Sequence, residues 1–191
     1  MPTRSTALGS EESSEKITLA SGSKKKRTTK AKKPLPSVKL PPNPFQSEIL
    51  EAVHKQRTKA KKIELLREHR NDALVSLLIW NFDDTVASAL PEGAVPYKPN
   101  DAPAGTEHTS LRQECRHFYN FVQSGNDTLS KTRRENIFIQ ILETLLPAEA
   151  EILCLVKDKR LTDRYNVSHA VVEEAYPDIE WGGRGGQQYQ G

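Results

Sequence analysis

The stretch Leu129–Leu161, LSKTRRENIFIQILETLLPAEAEILCLVKDKRL, is the densest apolar run in the chain, and its reading decides the fold. Apolar residues recur at three- and four-residue steps, first at Ile137, Phe138, Ile141, Leu142 and Leu145, then at Ala148, Ile152, Leu155 and Val156. Such steps keep side chains on one face of a 3.6-residue helix, and Pro147, which has no backbone N–H to donate, separates the two stripes. The spacing predicts two helices folded as a core hairpin over residues 136–156. Ile139 and Leu146 fall off the stripes, so the first helix should meet several neighbours at once.

At 191 residues the chain has room for one domain of ordinary size and a tail. With 36% hydrophobic and 28% charged residues and a mean hydropathy of −0.65, the apolar residues must be concentrated in part of the chain. No run approaches the roughly 18 apolar residues of a membrane span, and the N-terminus lacks the apolar core of a signal peptide, so a soluble protein with no membrane partner is expected. Cys115 and Cys154 each fall among apolar residues with no second cysteine nearby, as reduced core residues do.

Charge is divided unevenly. Residues 1–44 hold 10 Lys/Arg against 3 Glu, a net of +7, whereas residues 45–191 hold 18 against 22 acids, a net of −4. The pI of 8.8 therefore says nothing of the folded part. The positive charge peaks in Lys24, Lys25, Lys26, Arg27, Lys30, Lys32 and Lys33, followed by Pro34, Pro36, Pro41, Pro42 and Pro44. With almost no large apolar residue to offset the entropy of ordering, residues 1–44 read as a disordered basic, proline-rich tail. It serves as a solubilising segment or as a non-specific nucleic-acid contact that releases counterions; a nuclear-import signal has the same composition.

Ser47 to about His69 reads as a helix capped by Ser47, with a basic face of Lys55, Arg57, Lys59, Lys61 and Lys62 that meets nucleic acid, an acidic partner or only water. Asn71 caps a second helix ending near Asn81–Asp84, and Val86–Leu90 is expected to extend it. Residues 91–106, PEGAVPYKPNDAPAGT, form a long proline-rich loop. Loops of more than about 12 residues in a compact domain are usually functional or disordered. Tyr97, Asn100 and Asp101, with Glu107 and His108 just beyond, are therefore the candidate loop site, against the plain reading of a connector. Thr106 should cap a helix over Glu107–Gln123, with Gly125 as the left-handed residue past its end. A last helix starts at Ser168, with Val167 and Val172 as a hydrophobic staple, and Pro177 stops it. Residues 180–191, EWGGRGGQQYQG, read as a flexible Gly-rich tail; its one Arg-Gly-Gly has the composition of nucleic-acid-binding tails.

No nucleotide-, metal- or nucleophile-site motif is present, and His54, His69, His108, His117 and His169 never pair at the i, i+4 spacing of a helical zinc site. A non-enzymatic protein without cofactor or metal is expected. One cluster stands out. Lys131, Arg133 and Arg134 fall in the first turn of the central hairpin, where the helix dipole disfavours cations, and Lys157, Lys159 and Arg160 lie at its finish. An antiparallel hairpin would bring all six to one end, as an anion or partner site. Their counter-charge is either a carboxylate such as Glu107, Asp101 or Glu135, or a phosphate or acidic partner.

Three segments, LPEGAVPYKPNDAPAGTEHTSLRQECRHFYNFV, GNDTLSKTRRENIFIQILETLLPAEAEILCLVKDKRL and VVEEAYPDI, resemble an uncharacterised protein family of T4-like bacteriophages, including those of marine cyanobacteria. The resemblance spans about residues 55–179 and rests on Leu90-Pro91-Glu92-Gly93, Thr106-Glu107-His108-Thr109, Arg133-Arg134-Glu135 and Lys157-Asp158-Lys159 in that order. It implies a phage-encoded protein made in a bacterial cytoplasm, and it brings no catalytic or binding residues with it. The basic tail lies outside it.

The expectation is thus an all-α domain of five or six helices over residues 45–179, flanked by disordered tails. Its function would be that of a phage accessory protein that binds a phage or host protein through its domain and nucleic acid through its tail. A virion protein touching packaged DNA and a host-takeover factor docking through the proline-rich loop are the alternatives.

Overall fold

The computed structural model describes residues 40–101 and 109–183. The tail cations Lys24–Lys33 and the residues Thr106, Glu107 and His108 lie outside the described residues. Within them the protein is all-α: α1 Gln46–Lys55, α2 Lys59–Glu68, α3 Asp72–Phe82, α4 Leu111–Glu114, α5 Lys131–Thr144, α6 Pro147–Lys157, α7 Leu161–Arg164 and α8 His169–Ala175, with a 3-10 run Cys115–Phe121 continuing α4. The count exceeds the five or six expected because α4 and α7 are single turns and because the Ser47–His69 pattern splits. Gln56 and Thr58 are extended, so α1 and α2 are separate. No apolar side chain between Val53 and Ala60 ties that corner to the core. The cap also differs: Phe45 precedes α1, its N–H donating to the Glu48 carboxylate at 2.9 Å, and Ser47 is buried inside the first turn.

The central pair forms as the periodicity demands. Phe138, Ile141, Leu142 and Leu145 of the first stripe and Ile152 and Val156 of the second are buried, and Pro147 occupies the first turn of α6, where its missing N–H costs nothing. Helix α6 is the hub, touching α1, α3, α5 and α7. Its buried face includes Leu153 and ends in two polar residues, Glu149 and Lys157.

Glu149 is 1% exposed and sits in the first turn of α6. Its Oε1 accepts the N–H of Gln46, the first residue of α1, and its Oε2 accepts the N–H of Leu111, the first of α4, both at 2.9 Å. The Gln46 amide pairs with the Asn71 amide, and Asn71 Oδ1 caps α3 by accepting from Leu74 N at 2.9 Å, as the sequence predicts for Asn71. One carboxylate and one amide pair thus satisfy free N–H groups at helix starts distant in sequence. The helix dipoles favour negative charge there.

Trp80 is 2% exposed. Its ring lies 5.7 Å from Phe118 and 6.4 Å from Phe121, and Phe121 meets Phe138 edge-on at 5.1 Å. This cluster explains the departure from the expected α-helix over Glu107–Gln123. A 3-10 helix has three residues per turn, so Phe118 and Phe121 eclipse and both reach the core, whereas α spacing would have pointed to Tyr119 and Val122. Val86–Leu90 does not extend α3 either. Ala89 N donates to Phe121 O at 2.7 Å and Gln123 N to Ala87 O at 2.8 Å, around an isolated antiparallel bridge between Ser88 and Val122. The left-handed residue of the following turn is Ser124 (φ 62°). Gly125 is required for another reason: a Cβ there would lie 2.0 Å from Tyr119 O.

The C-terminal segment packs on α2. Tyr176 Oη donates to Leu66 O at 2.6 Å, Arg67 donates to the carbonyls of Glu174 and Ala175, Lys59 pairs with Glu174, and Lys62, buried, donates to Asn166 O. Burial lowers the Lys62 pKa and raises that of the Tyr176 phenol. Of the basic face read over this stretch, Lys59 and Lys62 therefore meet the chain's own C-terminal segment, while Lys55 pairs with Glu51. Val167 and Val172 are both buried, as the staple requires. Leu40 and Trp181 also pack against the core, Trp181 with its ring 4.5 Å from that of His169.

Two outcomes follow. Glu149→Ala strands two buried N–H groups and should lower the unfolding free energy by about 3 kcal/mol, with Glu149→Gln losing less because one acceptor oxygen remains; urea denaturation measures both. The bidentate hydrogen bonds from Arg70 hold the Asp178 carboxyl down to about 2, below its ordinary 3.8. A depressed carboxylate stabilises the fold above its unfolded pKa and loses that contribution as pH falls through the folded value. The melting temperature should therefore drop between about pH 4 and 2, and less steeply in Asp178→Asn.

Candidate functional site

The six cations at the limits of the hairpin have different fates. Lys157 and Glu135 line one cavity, so the start of α5 and the end of α6 lie at the same end of the molecule, as an antiparallel pair requires. Yet three of the six charges are turned inward. The Lys157 side chain, 1% exposed, donates to Pro91 O at 2.8 Å and Gly93 O at 3.1 Å and pairs with Asp158. Arg134 donates to Asn120 O and Asn126 O at 2.7 and 2.8 Å. Lys159 donates to Asp83 O at 2.8 Å from a left-handed backbone (φ 56°). That conformation ends α6 in a Schellman turn, with Arg160 N on Leu155 O and Lys159 N on Val156 O. Arg160 pairs with Asp163 on the surface. Only Lys131 and Arg133 are exposed with no side-chain partner among the described residues. For Arg134, Lys157 and Lys159 the counter-charge is thus the partial negative charge of backbone carbonyls, supplemented by Asp158 at Lys157. Asp101 is exposed and forms no ion pair among the described residues.

Residues 91–101 of the proline-rich loop form a strap bound along the α5–α6 pair. Gly93, at φ 95°, donates its N–H to Asp158 Oδ2, Lys98 N donates to Glu143 Oε1 at 3.1 Å, and Asn100 Nδ2 donates to Thr144 O at 3.4 Å. The strap therefore runs from the end of α6 to the end of α5. Tyr97 and Val95 pack inward on the core, and burial pushes the Tyr97 phenol up. Beneath it lies a small cavity of about 100 Å³ lined by Leu90, Val95, Pro96, Phe138, Ile139 and Lys157. Of the loop residues singled out, Tyr97 and Asn100 serve to fasten the strap.

A larger feature lies elsewhere. Between α3 and the 3-10 run is a cleft of about 600 Å³ whose walls include Ile79, Trp80, Val86, Phe118, Tyr119 and Val122, with Ser124 and Gly125 at its rim. Tyr119 is 53% exposed, the one exposed large apolar residue among those described. Sequence periodicity missed it because α spacing assigns Tyr119 to the core.

Both thiols are half-buried and free, and burial pushes Cys154 up to about 11 and raises Cys115, so neither is an activated nucleophile at neutral pH. Among the described residues no group of three His, Cys, Asp or Glu is arranged to hold a metal ion, and no helix is long and apolar enough to cross a membrane.

The chain belongs to a family of unknown function, DUF6433, whose model matches residues 49–163, more than half of its length. No curated protein and no solved structure matches it. The matched region runs from Ile49 in α1 to Asp163 in α7 and includes the strap, the cleft and Glu149; the basic tail, Gln46 and α8 lie outside it.

Lys157→Met should free the strap by leaving Pro91 O, Gly93 O and Asp158 without their cation. The expected loss is about 3 kcal/mol, the usual size for breaking a buried charge pair, with faster proteolytic cleavage within residues 91–101. Limited proteolysis beside the wild type reads it out.

Proposed function

From the sequence resemblance of residues 55–179 and the division of charge along the chain, we propose that this is a non-enzymatic bacteriophage accessory protein. Its helical domain binds a phage or host protein, and its basic tail, Lys24, Lys25, Lys26, Arg27, Lys30, Lys32 and Lys33, contacts nucleic acid without sequence preference in the host bacterial cytoplasm. The phage origin comes from the sequence resemblance of residues 55–179. The observation that carries the nucleic-acid reading is the placement of seven positive charges within residues 24–33 of a chain whose remainder from residue 45 is net −4. Neutralising phosphates releases condensed counterions, and this term alone supplies non-specific affinity. The internal use of Arg134, Lys157 and Lys159 supports the reading, because it withdraws domain cations from the surface.

Electrophoretic mobility shift of the full chain against a chain lacking residues 1–44, on duplex DNA at two salt concentrations, tests it. The full chain should bind, with affinity falling steeply as salt rises, and the shortened chain should bind far more weakly. Absence of a shift by either chain at low salt sinks the proposal.

A further inference from the structure

Beside the cleft stand cations that lack carboxylate partners. In a 3-10 run, residues three apart eclipse, so exposed Arg116 and exposed Tyr119 share one ridge. Arg116 has no ion pair among the described residues; Arg112, one turn earlier on α4, lines a separate cavity with Gln46 and Glu149. Arg134 donates to Asn126 O, so α5 begins close to the Ser124–Gly125 rim and brings exposed Lys131 and Arg133 to that side. An exposed tyrosine at the mouth of a cleft walled by Trp80 and Phe118, flanked by unpaired cations, offers a ring face for stacking with positive charge around it.

We infer that the cleft takes an unpaired base of single-stranded nucleic acid. Tyr119 stacks on the base, the apolar part of the walls, Ile79, Trp80, Val86 and Phe118, excludes water from its face, and Arg116, with Lys131 and Arg133 at the nearby start of α5, neutralises the flanking phosphates. Every base presents a π-face, so such a platform is indifferent to sequence, and a duplex, whose bases are already stacked, cannot use it. The inference rests on the nucleic-acid reading above and assigns the domain a part in it: the tail supplies long-range attraction to any polyanion, and the cleft supplies the preference for single strands. The favourable charge is local, since the domain as a whole is acidic.

The test uses the full chain with fluorescein-labelled single-stranded oligothymidine and a duplex of equal length, followed by anisotropy at two salt concentrations. Tyr119→Ala should weaken single-strand binding about tenfold, the cost of one lost stacked base, while leaving duplex binding and the melting temperature unchanged. Tyr119→Phe should restore it. Arg116→Ala should reduce the salt slope for the single strand by about 0.7, one phosphate contact. In a Trp181→Phe background, the single strand should quench Trp80 emission. Equal single-strand affinity of Tyr119→Ala and wild type, with binding lost on removal of residues 1–44, overturns the cleft and leaves the tail reading intact. Equal weakening on single strand and duplex also overturns it. If the full chain binds neither, the nucleic-acid reading falls and the cleft falls with it.

Discussion

The structure turns on a single buried carboxylate. Helix starts carry N–H groups that the helix itself cannot satisfy, and burying them unpaired costs about 1–3 kcal/mol each. Glu149 meets this cost for α1 and α4 at once, from the first turn of α6, and the Gln46–Asn71 amide pair carries the arrangement on to α3. The four-residue α4 is far too short to be stable alone and exists because Leu111 is both buried and bound to this carboxylate. Holding α1, α4 and α6 start to start in turn places the 3-10 run against α3, and so forms the Trp80–Phe118–Phe121 cluster and the cleft beside it.

A second device recurs through the fold: long cationic side chains reaching distant backbone carbonyls. Lys62 holds Asn166, Arg67 holds Glu174 and Ala175, Arg134 holds Asn120 and Asn126, Lys157 holds Pro91 and Gly93, and Lys159 holds Asp83. Lys62, Arg134 and Lys157 fasten loop or turn backbone to a helix, Arg67 ties the end of α8 to α2, and Lys159 joins the ends of α6 and α3. Their charge is thereby engaged internally. The cations left exposed without partners then acquire significance by position, at the Arg116–Tyr119 ridge and the first turn of α5.

How legible this was depended on range. Asn71 as a cap, the Val167–Val172 staple and the break at Pro147 were readable because cause and effect lie within four residues. The single helix expected over Ser47–His69 failed where Gln-Arg-Thr supplies no core contact, and Gly125 was assigned to its turn for the wrong reason, since its need comes from the approach of Tyr119 O. Phe121 is buried and Tyr119 exposed because residues 115–121 form a 3-10 run and not the α-helix expected over Glu107–Gln123. For Arg134, Lys157 and Lys159 the counter-charge comes from carbonyls of residues 83, 91, 93, 120 and 126, which neighbours in sequence do not reveal.

By itself the sequence determined the all-α class, the α5–α6 pair, and the segregation of positive charge into residues 1–44, because periodicity, proline and composition act locally and need no knowledge of what packs where. Only the tertiary structure decided that Glu149, an ordinary first-turn acid in the sequence, would hold helix starts 103 and 38 residues away, and that the proline-rich loop would be a strap fastened by Lys157. The reason is physical: a buried polar group must find its partner wherever packing brings one, and the partner's address is set by the whole fold.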